Sequence, residues 1–337
     1  MNIQGPCVLF IGPKTFGYEN EIKRELEQVG YRVDWHDERP SASSFVKALI
    51  RVHPGLAAPL SNAYFDRIFS NALKADYQIV FVIKGEALPL RKLAEFRKSL
   101  PNARFIYYTW DSFKNVKNAY EKLPYFDKVY SFDRFDCLLD KRIKHLPLFY
   151  TKDYEKLSAI NSGKSSPPDI DLLLLGSLHS DRYSVAQKIC SAAKRVIQDV
   201  CIYKSLYFQS RWIFALRKII DPQFRVMPWG DVAWKALNTQ ETVALVARSR
   251  ILIDVHHPKQ TGLTMRMLES IGAQKKIITT NPDVKNYDFY REENILIVDR
   301  ENPKIPEDFL KQPYQPIGEE IYSQYSLRMW VKEIFSV

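Results

Sequence analysis

The chain has 337 residues, of which 46% are apolar and 13% aromatic, so it is a folded globular protein long enough for two domains. An excess of Lys and Arg over Asp and Glu gives a net charge of +10, which favours anionic partners such as nucleotides, phosphosugars, nucleic acid or acidic lipids. The basic residues are spread along the whole chain, without a basic tail or zinc-finger spacing, which argues against a nucleic-acid-binding protein.

The spacing of the cysteines and the lengths of the apolar runs indicate the cellular compartment. Cys7, Cys137, Cys190 and Cys201 are far apart and form no CxxC pair, so we expect neither a zinc site nor a disulfide framework. The N-terminal stretch lacks the features of a signal peptide, and no run reaches the ~18 apolar residues that span a bilayer. We therefore expect a cytoplasmic protein, with peripheral contact at the cytoplasmic face of the inner membrane left open.

The first half alternates short apolar runs with amphipathic stretches. "CVLFIG" (Cys7–Gly12) is typical of a strand buried on both faces, and the helix predicted after it ends before Gly30. A further helix is predicted at "LRKLAEFRKSL", and further strands at "YRVDW", "QIVFVIKG", "ARFIYYTW", "KVYSF" and "HLPLFY". Strands that alternate with helices predict a parallel sheet covered by helices.

The second half repeats this α/β pattern after a stretch rich in Ser, Gly and Pro at residues 161–169, which predicts an interdomain linker. Its predicted strands and helices include "DLLLLG", "SDRYSVAQKICSAAKRVI", "ETVALVARS" and "RILIDV". We predict an N-terminal domain at residues 1–150, a linker at 151–170 and a C-terminal domain at 171–337. The terminal helix is expected to pack back on the first domain or to meet a membrane surface.

Sites are expected in strand-to-helix loops, because α/β sheets bind ligands beyond the carboxyl ends of their strands. Two such domains would place these loops along a cleft. The loops are residues 12–19, 109–115, 176–182 and 256–262. None carries a GxGxxG or Walker A pattern, which argues against an NAD enzyme or a P-loop kinase.

The loop "GSLHSDR" has groups that suit a diphosphate. Gly176 would permit close backbone approach, Ser177 adds a hydroxyl, and His179 and Arg182 precede or begin a helix whose free N–H groups favour an anion. An ordinary strand-to-helix turn, with Ser180 as the helix cap, explains the same residues equally well.

The stretch "QTGLTMRMLESIGAQKKIITTN" predicts a helix from about Gly262 to Gly272, capped by Thr261, and then a buried strand. Arg266 and Glu269 are three residues apart and would be neighbours on the helix surface. An exposed ion pair would contribute only roughly a few tenths of a kcal/mol, and would not explain the polar loop before the helix.

The same stretch resembles, without a gap, the donor-binding helix of GT-B glycosyltransferases. The resemblance is closest to bacterial lipopolysaccharide and capsule biosynthesis glycosyltransferases and to CgeB-like proteins. Segments that look like the same group cover both halves of the chain in order: "YYTWDSFKN", "FDKVYSFDRFD", "LPLFY", "GSLHSDR" and "YSLRMWVKEIF".

This resemblance implies two Rossmann-like domains that face each other across a cleft, with the nucleotide-sugar on the second. Glu269 would hold the ribose hydroxyls, Gly262 would lie in the turn before the helix, and Arg182 and Arg266 would face the diphosphate. Thr261 stands eight positions before Glu269, where many retaining members carry an acid, so retention or inversion of the anomeric configuration stays open. The remaining donor-binding candidates are Gly176, Ser177, His179 and Gln260.

The acceptor would lie on the first domain. Trp110 could face a sugar ring, and Asp111 could accept a proton from the attacking hydroxyl. Core packing of Trp110 and helix capping by Asp111 are the alternatives. Lys14 and Phe16 are further acceptor-side candidates, and His256 is a second candidate catalytic residue near the departing diphosphate.

The resemblance therefore implies a metal-independent hexosyltransferase that moves a sugar from a nucleotide-sugar to a glycan or glycolipid acceptor in bacterial surface polysaccharide biosynthesis. No cofactor beyond this co-substrate is expected, because helix dipoles and basic side chains stabilise the departing diphosphate. The "DID" at residues 169–171 begins a strand and is not expected to bind a metal. Two alternatives stay open: a GT-B-shaped nucleotide-sugar epimerase or hydrolase, and a non-catalytic basic α/β binding protein.

Overall fold

The computed structural model describes residues 5–41, 54–73, 75–116, 118–161 and 167–336. Packing divides the chain into two units, Met1–Pro147 together with Trp330–Val337, and Leu148–Met329. Each unit has its own six-stranded sheet, and every strand pairing is parallel. The predicted fold class, two parallel sheets with flanking helices, is confirmed.

The sheet of unit 1 has the strand order β2-β1-β3-β4-β5-β6. Its inner strands β1 and β3 are continuous apolar runs and are buried along their whole length. The strands are β1 (Cys7–Gly12), β2 (Arg32–Asp37), β3 (Ile79–Ile83), β4 (Arg104–Thr109), β5 (Lys128–Ser131) and β6 (Ile143–His145). The helices are α1 (Tyr18–Gln28), α2 (Pro54–Ala72), α3 (Leu90–Ser99), α4 (Ala119–Lys122) and α5 (Asp136–Leu139).

The sheet of unit 2 has the order β12-β11-β10-β7-β8-β9, which is a doubly wound arrangement found in dinucleotide-binding folds. Its strands are β7 (Ile170–Ser177), β8 (Ile202–Tyr207), β9 (Val232–Ala233), β10 (Ser249–Asp254), β11 (Lys276–Thr279) and β12 (Ile295–Ile297). Its helices are α6 (Lys152–Asn161), α7 (Arg182–Val196), α8 (Arg211–Ile220), α9 (Pro222–Arg225), α10 (Thr239–Arg248), α11 (Met265–Gly272), α12 (Glu307–Lys311) and α13 (Glu319–Gln324).

The direction of strand progression reverses once in each sheet. The reversal lies between β1 and β3 in unit 1, and between β7 and β10 in unit 2. Loops that leave neighbouring strands on opposite faces of the sheet separate at such a point, which opens a crevice for ligands at the carboxyl edge. Three of the loops predicted to carry sites, at residues 12–19, 176–182 and 256–262, follow strands at these points.

The chain returns to unit 1 through its last helix, α14 (Leu327–Phe335). The indole of Trp330 is buried, with its ring centroid 4.8 Å from that of Tyr108. Arg104 donates a hydrogen bond to the carbonyl of Phe335 at 3.0 Å. In the residues that the structure describes, no helix is long and apolar enough to cross a membrane.

Several boundaries differ from the predictions for local reasons. The strand predicted at "HLPLFY" is wrong after His145, because Pro147 lacks the N–H that a ladder requires. Within the expected linker at residues 151–170, Lys152–Asn161 form helix α6. Helix α11 begins at Met265, not near Gly262, since Thr264 is the N-cap and its hydroxyl accepts from the N–H of Met267 at 3.2 Å.

Candidate functional site

The side chain of Arg182 joins the carboxyl ends of β7 and β10, the two strands between which the strand order of unit 2 reverses. Its Nη1 donates to the carbonyl of Ser177, the last residue of β7, at 2.9 Å. Its Nε and Nη2 donate to the carbonyl of Val255, the residue after β10, at 3.0 and 2.8 Å. Burial lowers the pKa of Arg182 to about 10, which keeps the side chain protonated at pH 7. A fixed positive charge therefore lies where doubly wound sheets bind ligands.

Gly176 makes room for this arginine. A Cβ at Gly176 would come within 2.7 Å of Arg182 Nη1. The space beside Gly176, which the sequence suggested for a ligand, is thus occupied by the guanidinium of the chain itself.

A second arginine, Arg300, lies at the same edge. It follows β12 and pairs with Asp181 at 2.6 Å, just before α7. It also donates to the hydroxyl of Thr280 at 3.0 Å and to the carbonyl of His256 at 3.2 Å. Sequence reasoning missed Arg300, although "ILIVDR" is a short apolar run that ends in charged residues, the pattern that located the other loops.

The Arg266–Glu269 ion pair forms as the helical spacing predicts, at 2.6 Å, but it is not an exposed pair. The side chain of Glu269 is only 2% exposed and that of Arg266 is 16% exposed. Tyr154 of α6 packs beside them, and burial together with Glu269 holds the pKa of this phenol well above its usual value. The pair lies where α11 packs against α6.

Two buried side chains that sequence reasoning missed hold the adjoining loops. Asp254 ends β10 and accepts a hydrogen bond from Thr279 at 3.2 Å; its burial raises its pKa, and the charge of Arg182 opposes that rise. Asn281 donates to the carbonyls of Thr261 and Gly262 at 2.9 and 3.4 Å. The turn around Gly262 is thereby fixed before α11 begins.

The two predicted histidines lie in the same region. Nδ1 of His179 is 2.9 Å from the hydroxyl of Ser180, and Nδ1 of His256 is 2.8 Å from that of Thr280. Burial lowers the pKa of His179 to about 3 and, helped by Arg300, that of His256 to about 4. Both imidazoles are therefore neutral at pH 7, and the positive charge of this edge comes from the arginines. The last donor candidate, Gln260, donates its backbone N–H to the carbonyl of His257 at 2.9 Å.

In unit 1, Asp111 lies at the carboxyl edge beside a lysine. Its carboxylate is 2.8 Å from Nζ of Lys84, which follows β3 in the left-handed region at φ 64°. Asp111 is not the helix cap, because Ser112 occupies that position before the short 3-10 helix Phe113–Asn115. Asp111 thus has a charged partner and remains partly exposed, at 34% of its side chain.

Two further acids adjoin Lys84. Glu86 is 3.4 Å from its ammonium group, and the carboxylate of Glu38 accepts from the N–H of Glu86 at 2.6 Å. Glu38 follows β2, is 1% exposed, and has a pKa that burial raises to about 7. Sequence reasoning missed this cluster because its members come from three loops far apart in the chain.

The acceptor-side candidates occupy different surroundings. Lys14 is exposed, and its carbonyl accepts from Arg39 at 3.1 Å. Phe16 is 57% exposed and has a φ of 50°. Trp110 is half-buried, with its ring 6.0 Å from that of Tyr18.

In the described part of the chain, no group of three or more His, Cys, Asp or Glu residues comes together as a metal site. The "DID" acids have basic partners instead. Asp169 pairs with Arg248 at 2.5 Å and Asp171 with Arg250 at 3.1 Å.

No protein-family model matches the sequence, and no curated protein compared with it is similar. Solved structures do match along almost the whole chain. A glycosyltransferase from Rickettsia africae is 16% identical, with a TM-score of 0.56, and 98% of this chain aligns with 97% of that one. HepE from Anabaena, solved with UDP-glucose, is 10% identical, with a TM-score of 0.57 and 98% of both chains aligned.

The UDP-GlcNAc 2-epimerase of Methanocaldococcus jannaschii, solved with UDP-GlcNAc and UDP, matches to a similar degree. It is 12% identical, with a TM-score of 0.54, and 98% of this chain aligns with 100% of that one. At sequence identities this low, the structural similarity establishes the fold alone. The chain therefore has the GT-B fold with its two Rossmann-like domains, as the resemblance of its motifs implied.

Proposed function

We propose that this protein is a glycosyltransferase that moves a sugar from a nucleotide-sugar to a glycan or lipid-linked acceptor. The observation that carries the proposal is the charged edge of unit 2. There the side chains of Arg182 and Arg300 contact the residues that follow β7 and β10, the strands between which the sheet order reverses. A concentration of guanidinium groups at that edge suits the diphosphate of a nucleotide-sugar.

The arginines would act without large rearrangement. Arg182 and Arg300 are held by backbone carbonyls and by Asp181, so their charges are fixed before a ligand binds. Preorganised charge of this kind stabilises negative charge as it develops on a leaving group. In this proposal the departing nucleoside diphosphate is stabilised by the protein's own side chains and needs no metal ion.

We assign the remaining roles by position. Gln260 and Gly262 lie in the turn that leads to α11 and are assigned to the donor. Glu269 on that helix is paired with Arg266, and its carboxylate is assigned to the ribose hydroxyls in the donor-bound state. On unit 1, Asp111, whose carboxylate is 2.8 Å from Nζ of Lys84, is assigned as the base that takes the proton of the acceptor hydroxyl. Trp110 would offer an aromatic face to a sugar ring.

The biological setting that we propose is the synthesis of a bacterial surface polysaccharide, either lipopolysaccharide or capsule. It rests on the resemblance of segments along both halves of the chain to glycosyltransferases of that group. Assays of sugar transfer to isolated lipopolysaccharide and capsule acceptors test this setting.

An epimerase or hydrolase acting on a nucleotide-sugar is the second candidate. It is favoured by the whole-chain likeness to the archaeal UDP-GlcNAc 2-epimerase. The two candidates share the donor site and differ in the need for an acceptor.

One experiment separates them. The purified protein is incubated with UDP-, GDP-, CMP- and ADP-sugars, with and without glycan and lipid-linked acceptors, and products are followed by mass spectrometry. Nucleotide release that requires an acceptor supports transfer, whereas epimerised or hydrolysed sugar without an acceptor supports the second candidate. If no nucleotide-sugar binds and the protein instead binds DNA in a salt-sensitive way, both are refuted.

Asp111→Asn tests the assigned base. We expect turnover to fall by about 100-fold or more, with donor affinity unchanged, since an amide cannot accept the proton. Asp140→Asn is the matched surface control, because Asp140 also pairs with a basic residue, Arg142 at 2.6 Å. Equal turnover in the two variants would remove Asp111 from the mechanism.

A further inference from the structure

An apolar strip of helix α8 faces away from the core of unit 2. Trp212, Leu216, Ile219 and Ile220 follow the helical spacing i, i+4, i+7, i+8, and they are 74%, 51%, 71% and 65% exposed. Phe214 on the opposite side of the helix is fully buried. Its ring contacts a cluster of aromatic side chains, formed by Phe208, Phe224, Trp229 and Trp234.

This arrangement reverses the usual one. A surface helix normally turns its apolar stripe towards the core and its polar side towards water. Helix α8 is anchored by Phe214 and leaves its wider apolar side in solvent. In the segment after the helix, Val226 is 67% and Trp229 is 45% exposed. Contiguous exposed apolar surface of this kind marks an interaction site.

Basic residues flank the strip. Residues 208–235 contain five Lys or Arg residues and two Asp residues. The guanidinium groups of Arg211 and Arg217 lie 5.5 and 5.6 Å from the rings of Trp234 and Phe224, and Arg217 also pairs with Asp221 at 3.5 Å. Lys218 donates to the carbonyl of Met227 at 2.5 Å, which joins α8 to the segment after α9. The strip is therefore apolar at its centre and positive at its margins.

We propose that this face of α8 binds the surface of an anionic lipid bilayer. Trp212, Leu216 and Ile219 would enter the boundary between headgroups and acyl chains, and the flanking arginines would meet lipid phosphates. An exposed apolar arc with Trp at its end and basic margins is the pattern of helices that lie in a membrane interface. The inference stands on unit 2 alone and holds whichever reaction the protein catalyses.

A second copy of the chain fits this face less well. Stable protein interfaces bury about 800 Å² on each partner, more than four side chains on a ten-residue helix offer. Self-association would also bring the positive margins of two copies together, which costs free energy. An anionic bilayer offers acyl chains to the apolar centre of the strip and phosphates to its positive margins.

Vesicle co-sedimentation tests the proposal on the full chain. One vesicle preparation contains phosphatidylcholine alone, and the other contains phosphatidylcholine mixed with phosphatidylglycerol. We expect binding to the mixed vesicles that weakens as salt is added. The double variant Trp212→Ser, Ile219→Ser should bind about tenfold more weakly or worse, because apolar insertion is lost.

Leu138→Ser is the matched control, since Leu138 is 80% exposed on α5 in unit 1. It should bind vesicles as the wild type does, and circular dichroism should show that all variants are folded. The proposal is overturned if the wild type fails to bind anionic vesicles at low salt, or if the double variant binds equally well. A concentration-dependent dimer in analytical ultracentrifugation that the double variant abolishes would assign the face to a second copy instead.

Discussion

Replacing Glu269 by Gln should destabilise the protein far more than its helical spacing suggests. The substitution leaves Arg266 without its anionic partner at a position where the arginine side chain is only 16% exposed. Removing one member of a buried ion pair typically costs about 3–5 kcal/mol, because the remaining charge stays away from water. We expect roughly 3 kcal/mol here, since the amide retains hydrogen-bonding capacity and Arg266 is not completely buried.

A matched pair exists on α1. Arg24 and Glu21 are also an i,i+3 Arg–Glu pair at 2.6 Å, but the side chain of Arg24 is 66% exposed. Glu21→Gln should cost less than about 1 kcal/mol, as exposed pairs do. The two substitutions are chemically identical, and the pairs differ in burial and in the order of Arg and Glu along the helix.

The assay is urea unfolding followed by circular dichroism, with each transition fitted separately because the chain has two units. Arg266→Met and the double variant complete a mutant cycle that isolates the pair interaction. If Glu269→Gln and Glu21→Gln lower the free energy of unfolding equally, burial does not govern this pair and our account of α11 is wrong.

Three further outcomes are expected. Gly176→Ala should lower the free energy of unfolding by about 1–3 kcal/mol, because its Cβ would displace Arg182, whereas Gly230→Ala, with open space around it, should change little. Urea titrations check both, and equal effects would contradict the packing described. Asn281→Ala should cost about 1–3 kcal/mol by leaving buried carbonyls unpaired, and an unchanged unfolding midpoint would contradict this. Glu38, whose pKa burial raises to about 7, stays protonated in the folded state while the unfolded chain ionises, so stability should fall as pH rises from about 4.5 to 7. Glu38→Gln should remove up to about 3 kcal/mol of that loss, and parallel pH profiles of wild type and variant would refute the assignment.

The fold was largely predictable because most of its inner strands are apolar runs and its helices are amphipathic. "CVLFIG" and "DLLLLG" become β1 and β7, beside the two points where strand order reverses. Boundaries were less predictable, as α11 shows. Thr261 and Thr264 are both acceptable caps by residue type, and only the hydrogen bond to Met267 distinguishes them.

Site residues were predictable where a single loop carries them, and they were missed where residues from several loops come together. Arg182 and Arg266 lie in short motifs that are recognisable in the sequence. Arg300, in contrast, is linked to Asp181 across 119 positions of the chain, and Glu38 to Glu86 across 48. The burial of a residue also cannot be predicted from its local sequence, because Arg266 and Glu269 have the same i,i+3 spacing as an exposed ion pair on a helix.

The central claim is that the arginine-rich edge of unit 2 holds a nucleotide diphosphate. Isothermal titration of the wild type with UDP, GDP, CDP and ADP tests it most directly, alongside Arg300→Met and the surface control Arg24→Met. We expect at least one diphosphate to bind the wild type and Arg24→Met equally, and Arg300→Met about tenfold more weakly, as the loss of one charge-assisted contact predicts. The account would be contradicted if none of the four bound, or if Arg300→Met bound as tightly as the wild type.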